Sequence, residues 1–194
     1  MINRITQFES QYRDLQGQLL VASSALHGTP FERTVVYVLQ HNEDGVFGVV
    51  LNRPADQRLL DAWRQVSGDT QSDEEHLSCG GPIGGPVFAI HGLQDLGEME
   101  LNQGLFLSSA AESIHQVVRE SDDRYRIFFG IAGWRPGQLE QELDKGLWYR
   151  MGGDASVVFT DCSFLWERSV LSVGRKTASE LCGVRVFPPN PLFN

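Results

Sequence analysis

Two arginines and an asparagine lie at the ends of two apolar segments of the chain. Arg33 precedes the segment 35–39, and Asn52 and Arg53 directly follow the segment 46–51. If the two segments pair as an antiparallel hairpin, these three residues meet at one end of it. Guanidinium groups bind carboxylates and phosphates through parallel N–H donors. The pattern therefore predicts an anion or carboxylate site built on these three side chains.

Two glycines are predicted to close this site. Gly80 and Gly81 lie in the segment 78–86, whose glycine and proline content predicts an irregular turn rather than a regular element. The backbone amides of such a turn can face an anion. The alternative interpretation is structural, with Asn52 capping a turn and the arginines pairing with nearby acids.

The other reactive side chains have no recognised catalytic spacing. Cys79 precedes the two glycines, but no His or Asp stands where it would activate the thiol, so an inert cysteine is expected. The five histidines lack metal-ligand spacing, and nucleophile-elbow, phosphate-loop and dinucleotide motifs are not found. We therefore predict no catalytic residue, no metal and no cofactor.

Acidic side chains alternate along a short segment near residue 140. Glu140, Glu142 and Asp144 could supply paired carboxylates for acid–base chemistry if one of them were buried. Because Leu139 and Leu143 share the inward face of the predicted helix, these acids are expected to face solvent instead.

Charge and hydropathy narrow the class of protein. The formal net charge is −9, from 16 Lys and Arg against 25 Asp and Glu. Since nucleic-acid affinity depends largely on Lys and Arg contacts with phosphates, direct nucleic-acid binding is disfavoured. No apolar run approaches the roughly 20 residues that span a bilayer, and the first residues have no signal-peptide core. Three widely spaced cysteines fit reduced thiols. We expect a cytoplasmic protein without membrane association.

The apolar segments place the candidate residues on an α+β scaffold. The runs at 35–39 and 46–51 are continuous rather than alternating, which indicates a central antiparallel hairpin covered on both faces. Apolar runs and helical periodicity predict the remaining elements. Strands are predicted at residues 19–22, 87–91, 105–107, 127–131 and 156–159, and helices around residues 59–66, 109–118, 139–143 and 164–171.

These elements predict an α+β fold with a mixed, largely antiparallel central sheet and flanking helices. We expect one domain over residues 1–194, with an N-terminal helix over residues 1–16 and an extended tail over residues 188–194.

Four segments form a pattern across most of the chain: residues 17–22, 31–54, 80–82 and 130–143, the last followed by Trp148. In this order and spacing they resemble the YqgE/AlgH family of bacterial proteins. The last segment reads G-I-A-G-W-R-P-G-Q-L-E, and its motif residues are Gly130, Gly133, Trp134, Gly137, Gln138, Leu139 and Glu140.

The resemblance implies an α+β fold around a mixed sheet and supplies no established cofactor, metal or catalytic residue. Some family members are labelled transcriptional regulators, in connection with exopolysaccharide control. We predict a non-enzymatic regulatory or interaction protein that acts through an unknown protein partner or a small ligand, with any effect on transcription indirect. The alternative is a small-molecule binding protein or an enzyme that uses Arg33, Asn52 and Arg53 with the Gly80–Gly81 turn. The oligomeric state is not predicted.

Overall fold

The computed structural model describes residues 15–67, 76–102, 104–121, 124–153 and 155–182. Of the predicted N-terminal helix only residues 15 and 16 are described, and the predicted tail at 188–194 lies outside the described residues. The assignment of the whole chain to one domain stays a prediction.

Nine strands and four α-helices make up the described part of the chain. The strands are β1 (Gln18–Ala22), β2 (Val35–Asn42), β3 (Gly45–Val50), β4 (Leu77–Cys79), β5 (Ile83–His91), β6 (Met99–Asn102), β7 (Leu105–Ser108), β8 (Tyr125–Trp134) and β9 (Trp148–Gly152). The helices are α1 (Gln57–Ser67), α2 (Ala111–Glu120), α3 (Gln138–Asp144) and α4 (Leu165–Cys182).

The strands form one sheet in the order β6-β7-β5-β8-β3-β2-β1-β9, with β4 added beside β8. All pairs along this order are antiparallel, whereas β4 runs parallel to β8. The predicted α+β fold with a mixed, largely antiparallel sheet is confirmed. No helix in the described ranges is both long enough and apolar enough to cross a bilayer.

The predicted hairpin of β2 and β3 lies inside the sheet and is buried on both faces. Val35, Tyr37 and Leu39 belong to one apolar cluster, which Leu165 at the start of α4 also joins. Val36 and Val38 point to the opposite face and join a second cluster, which α3 covers. Each such side chain contributes roughly 1.5–3 kcal/mol when it is fully buried. The continuous apolar runs are thus explained by packing on both faces.

Gly130 changes which face of the sheet the side chains of β8 occupy. Phe128, before the glycine, packs in the first cluster, and so does Ile131 after it. Ala132 and Trp134 pack in the second cluster. The left-handed backbone of Gly130, with φ of +73°, allows this reversal within a single strand. β8 therefore continues past the glycine and ends at Trp134.

Two local predictions are wrong. The segment 78–86 is not an irregular turn, because its ends belong to β4 and β5, which both pair with β8. β5 accommodates Gly84, Gly85 and Pro86 through a shift in its register with β8 between Ile83 and Val87. Residues 156–159 lie in a 3-10 helix, Ala155–Phe159, and not in a strand, since a short apolar run alone does not distinguish the two.

Candidate functional site

A cavity of about 780 Å³ opens beside the end of β3. Its walls come from Asn52 and Pro54 after β3, from β4 with the preceding His76, from the start of β8, and from residues 159–163 ahead of α4. This volume lies within the roughly 300–1,000 Å³ that small-molecule sites occupy.

Arg126, the second residue of β8, lines this cavity with a buried cation. Only 6% of the residue is exposed. Its guanidinium carbon lies 5.1 Å from the centre of the Phe128 ring, because the two residues share one face of β8. The side chain is therefore held between the sheet and the segment that leads into α4.

Four neutral acceptors hold the Arg126 guanidinium in place. Nη1 donates to the carbonyl oxygen of Val158 and to Sγ of Cys162, both at 3.0 Å. Nη2 donates to the carbonyl oxygen of Leu51 at 2.8 Å and to Oγ of Ser78 at 2.5 Å. A guanidinium has five N–H donors. The fifth, on Nε, is buried and has no hydrogen-bond partner among the described residues.

Among the residues that the structure describes, no carboxylate pairs with the positive charge of Arg126. None of its four acceptors is a carboxylate, and Arg126 takes part in no ion pair among the residues that the structure describes. Removing a cation from water costs several kcal/mol unless a partner offsets it. An oxyanion in the cavity would supply both the missing charge and an acceptor for Nε.

His76 adds a second unpartnered nitrogen to the same cavity. Its ring lies flat on Tyr125, with 4.4 Å between the ring centres and 7° between the planes. Its Nδ1 atom is buried and has no hydrogen-bond partner in the ranges that the structure describes. In the protonated or the Nδ1–H form, this nitrogen donates a hydrogen bond. Arg126 and His76, which both line the cavity, thus each carry a buried nitrogen atom without a hydrogen-bond partner among the described residues.

Among the described residues of the cavity wall, Asp161 is the one carboxylate, and it is exposed. The backbone N–H of Ser163 donates to Oδ1 of Asp161 at 2.8 Å. That bond, the Ser163 hydroxyl and the nearby charge of Arg168 lower the pKa of Asp161. Because the ionised Asp161 repels negative charge, the cavity favours a small anion over a large polyanion.

Of the residues predicted from the sequence, Asn52 lines this cavity. Its Oδ1 accepts from the backbone N–H of Val35, and its Nδ2 donates to the carbonyl oxygen of Arg33, both at 2.8 Å. Asn52 therefore extends the pairing of β2 and β3 by one step. Both polar groups of its amide already have a backbone partner.

The side chain of Arg33 lies at a different cavity, of about 610 Å³. It forms an ion pair with Glu167 and lies 5.0 Å from the centre of the Trp166 ring. Arg53 is half-buried, and its carbonyl oxygen accepts from the N–H of Cys79 at 2.9 Å. The structure therefore bonds the Asn52 side chain to the backbone of Arg33 but directs the Arg33 side chain towards α4.

Gly80 and Gly81 bring the chain close to β8. The N–H of Gly80 donates to the carbonyl oxygen of Phe129, and its own carbonyl oxygen accepts from Val50, both at 2.8 Å. A Cβ atom at Gly80 would lie 2.2 Å from the carbonyl oxygen of Gly130, and one at Gly81 would lie 2.2 Å from a backbone carbon of β8. The glycines allow this close backbone approach, and the amide of Gly80 is committed to the sheet.

The family-motif residues 134–140 hold α3 against the sheet. The indole N–H groups of Trp134 and Trp148 both donate to Oε2 of Glu142, at 2.9 and 2.8 Å. Glu140 pairs with Nε2 of His41 at 3.1 Å. The prediction that these acids face solvent is wrong for Glu140 and Glu142, which are half-buried.

Arg126 was not among the residues that the sequence singled out. The available signal was a charged residue directly before the strand-length apolar run 127–131, two positions from Phe128 and thus on its face of the strand. A charge at a core-facing strand position indicates either a buried ion pair or a binding site.

Comparisons with known proteins agree with this fold. A sequence model of the AlgH-like family matches residues 19–178. The UPF0301 protein CT0663 of Chlorobaculum tepidum is 36% identical over 187 residues, which cover 92% of this chain and 95% of that protein. A UPF0301 protein of Methylococcus capsulatus is 34% identical over 172 residues, which cover 84% of this chain and 93% of that protein.

Two solved structures are similar to the chain. The solution structure of the AlgH protein from Pseudomonas aeruginosa has a TM-score of 0.66 and 26% identity, covering 89% of this chain and 95% of its own. The crystal structure of protein DIP2367 from Corynebacterium diphtheriae has a TM-score of 0.60 and 25% identity, covering 79% and 84%.

Proposed function

For this chain, which belongs to the AlgH-like family as its motifs predicted, we propose a non-enzymatic regulatory function through ligand binding. The ligand is a small oxyanion, a carboxylate or a phosphate group, held by Arg126 in the cavity beside β3. The liganded protein acts on a protein partner, and any effect on transcription is indirect.

The observation that carries this proposal is the buried charge of Arg126, which has no ion-pair partner in the described part of the chain. Its four hydrogen bonds fix the guanidinium without neutralising it. The unpartnered Nε lies in a side chain that lines the cavity. A fixed cation with one open donor is suited to hold an anion, because little is lost in ordering the side chain when the ligand binds.

The expected ligand contacts are with the N–H donors that have no acceptor among the described residues. Both Nη atoms already donate to protein acceptors, so one ligand oxygen accepts from Nε. A second oxygen can accept from Nδ1 of His76 in its donor form. Carboxylate and phosphate groups both provide two such oxygens.

A regulatory role is supported by the elements that form the walls. The segment 159–163 lines the cavity and leads directly into α4. Helix α4 in turn carries Glu167, which forms the ion pair with Arg33. Occupancy of the cavity would therefore bias the position of α4, through which a partner could read the bound state.

The pocket predicted from the sequence, on Arg33, Asn52 and Arg53 with Gly80–Gly81, is the alternative. One observation favours it in part, because Asn52 lines the Arg126 cavity. The two proposals differ in which arginine the anion needs.

Thermal unfolding in phosphate, sulfate and acetate, at constant ionic strength set with chloride, tests the proposal. We expect at least one oxyanion to stabilise the wild-type chain, by about 2.7 kcal/mol at a hundredfold excess over its Kd. Arg126→Met should lose this stabilisation, and Arg33→Met, the matched surface arginine, should keep it. Arg126→Lys keeps the charge without Nε and should bind more weakly than wild type.

Two results would overturn the proposal. One is wild-type protein that no oxyanion stabilises. The other is stabilisation that Arg33→Met abolishes and that Arg126→Met or Arg126→Lys retains in full, which would favour the pocket predicted from the sequence.

A further inference from the structure

We propose that Cys162 is a site of oxidation by hydroperoxides, and that its oxidation closes the anion site of Arg126. This inference rests on the proposed function, since it concerns the regulation of the same cavity. It gives the protein a second input, the redox state of one thiol.

Cys162 stands directly against the cation of the cavity. Its side chain is half-buried and lines the cavity wall, and its Sγ accepts from Nη1 of Arg126 at 3.0 Å. Within the described ranges, its other hydrogen bond is a donation to the carbonyl oxygen of Thr160 at 3.4 Å. A reagent that enters the cavity therefore reaches the sulfur and the guanidinium together.

A second, independent observation concerns the guanidinium beside Cys162. Arg126 is only 6% exposed, and its Nε has no hydrogen-bond partner within the described structure. A peroxide oxygen beside Cys162 therefore lies next to the guanidinium as well as the sulfur. The guanidinium can stabilise the negative charge that develops on the leaving oxygen.

The reaction requires one hydroperoxide. The sulfur attacks one peroxide oxygen, the O–O bond breaks, and a new S–O bond forms. The sulfur is oxidised by two electrons, the departing oxygen takes the thiol proton, and the products are a sulfenic acid and water or an alcohol. The new oxygen lies within reach of the Arg126 donors, because Sγ is already 3.0 Å from Nη1.

Cys79 provides the matched comparison within the same chain. It is also half-buried and free. Its sulfur is directed at the carbonyl oxygen of Gly81, 3.9 Å away. A guanidinium stabilises the negative charge that develops on the departing oxygen, whereas a carbonyl oxygen repels it. Oxidation should therefore select Cys162 over Cys79.

Closure of the site follows from where the added oxygen lies. An oxygen on the sulfur accepts from the guanidinium and occupies the volume beside it. A ligand anion then loses both space and an open donor. Reduction of the sulfenic acid to the thiol restores the site.

The test treats the wild-type chain, Cys79→Ser and Cys162→Ser with hydrogen peroxide. Sulfenic acid is trapped with dimedone and quantified on each cysteine peptide by mass spectrometry. Inorganic phosphate is titrated calorimetrically before oxidation, after it, and after dithiothreitol. We expect labelling of Cys162 to exceed that of Cys79 by about tenfold. Phosphate affinity should fall by about tenfold on oxidation of wild type and Cys79→Ser, and dithiothreitol should restore it.

In Cys162→Ser, peroxide should leave the phosphate affinity at that variant's own untreated value. Equal labelling of Cys79 and Cys162 would overturn the inference, as would full oxidation of Cys162 with unchanged phosphate affinity. Wild-type protein that never binds phosphate, yet is labelled at Cys162, would refute phosphate binding at the cavity and leave the site of oxidation established.

Discussion

Replacing Glu142 by alanine tests whether the motif around α3 stabilises the fold. Both indole N–H groups, from Trp134 and Trp148, donate to one oxygen of this carboxylate. The two tryptophans are 3% and 2% exposed, so water does not replace the lost acceptor. Glu142→Ala therefore leaves two buried donors without a partner.

The expected cost follows from that count. A buried donor without a partner costs about 1–3 kcal/mol, so two cost about 2–6 kcal/mol. Glu142→Gln keeps a carbonyl oxygen for the indoles but loses the charge, and should cost about 1–2 kcal/mol. Gln141→Ala, at an exposed position of the same helix, is the matched control and should stay within about 0.5 kcal/mol of wild type.

Urea unfolding of the three variants, followed by tryptophan fluorescence and by circular dichroism, measures these differences in the free energy of unfolding. The order Glu142→Ala, Glu142→Gln, Gln141→Ala, from most to least destabilised, is expected. If Glu142→Ala were no less stable than Gln141→Ala, the two indole bonds would contribute nothing and the reasoning would be refuted.

Three further variants test separate parts of the structure. In Gly80→Ala the added Cβ atom would lie 2.2 Å from a carbonyl oxygen of β8, whereas at Gly84 nothing lies within 4 Å of such an atom. In urea unfolding, Gly80→Ala should therefore lower the free energy of unfolding by about 3 kcal/mol or more, and Gly84→Ala by under about 0.5 kcal/mol. Asn52→Ala removes both side-chain bonds that extend β2 and β3, and should cost about 1–3 kcal/mol in the same assay. The Ser109 hydroxyl, with neighbouring backbone amides, lowers the pKa of Glu98 from its ordinary 4.5 to about 2. The ionised Glu98 therefore stabilises the fold fully above pH 4.5, and this stabilisation is lost as the pH falls towards 2. Between pH 5 and 2, the free energy of unfolding of Glu98→Gln should therefore decline less steeply than that of the wild type. Equal losses for the two glycine variants, a neutral Asn52→Ala, or an unchanged pH profile would each contradict the contact concerned.

The hairpin could be predicted because its signal is local. Two continuous apolar runs, 35–39 and 46–51, indicate strands with both faces covered, and both faces are covered. The segment 78–86 could not be assigned in the same way. Its glycines read as a turn by local rules, but Gly80 is needed for a close approach to Gly130, 50 positions later in the chain.

The Arg126 cavity could not be predicted either, because it depends on contacts between residues that are distant along the chain. The acceptors of its guanidinium lie 75, 48, 32 and 36 positions away along the chain, at Leu51, Ser78, Val158 and Cys162. Sequence patterns over one or two elements carry no information on such contacts. Asn52, which lines the cavity, could be predicted because it directly follows the second strand of the hairpin in the sequence.

The most direct test of the anion site follows the ¹H–¹⁵N signals of arginine Nε in the wild-type chain as inorganic phosphate is added. The signal of Arg126, whose Nε has no hydrogen-bond partner in the described part of the chain, should shift and saturate. The signal of Arg33, which pairs with Glu167, should show only the small linear drift caused by the changing ionic strength. A saturating shift at Arg33 with none at Arg126 would contradict the account.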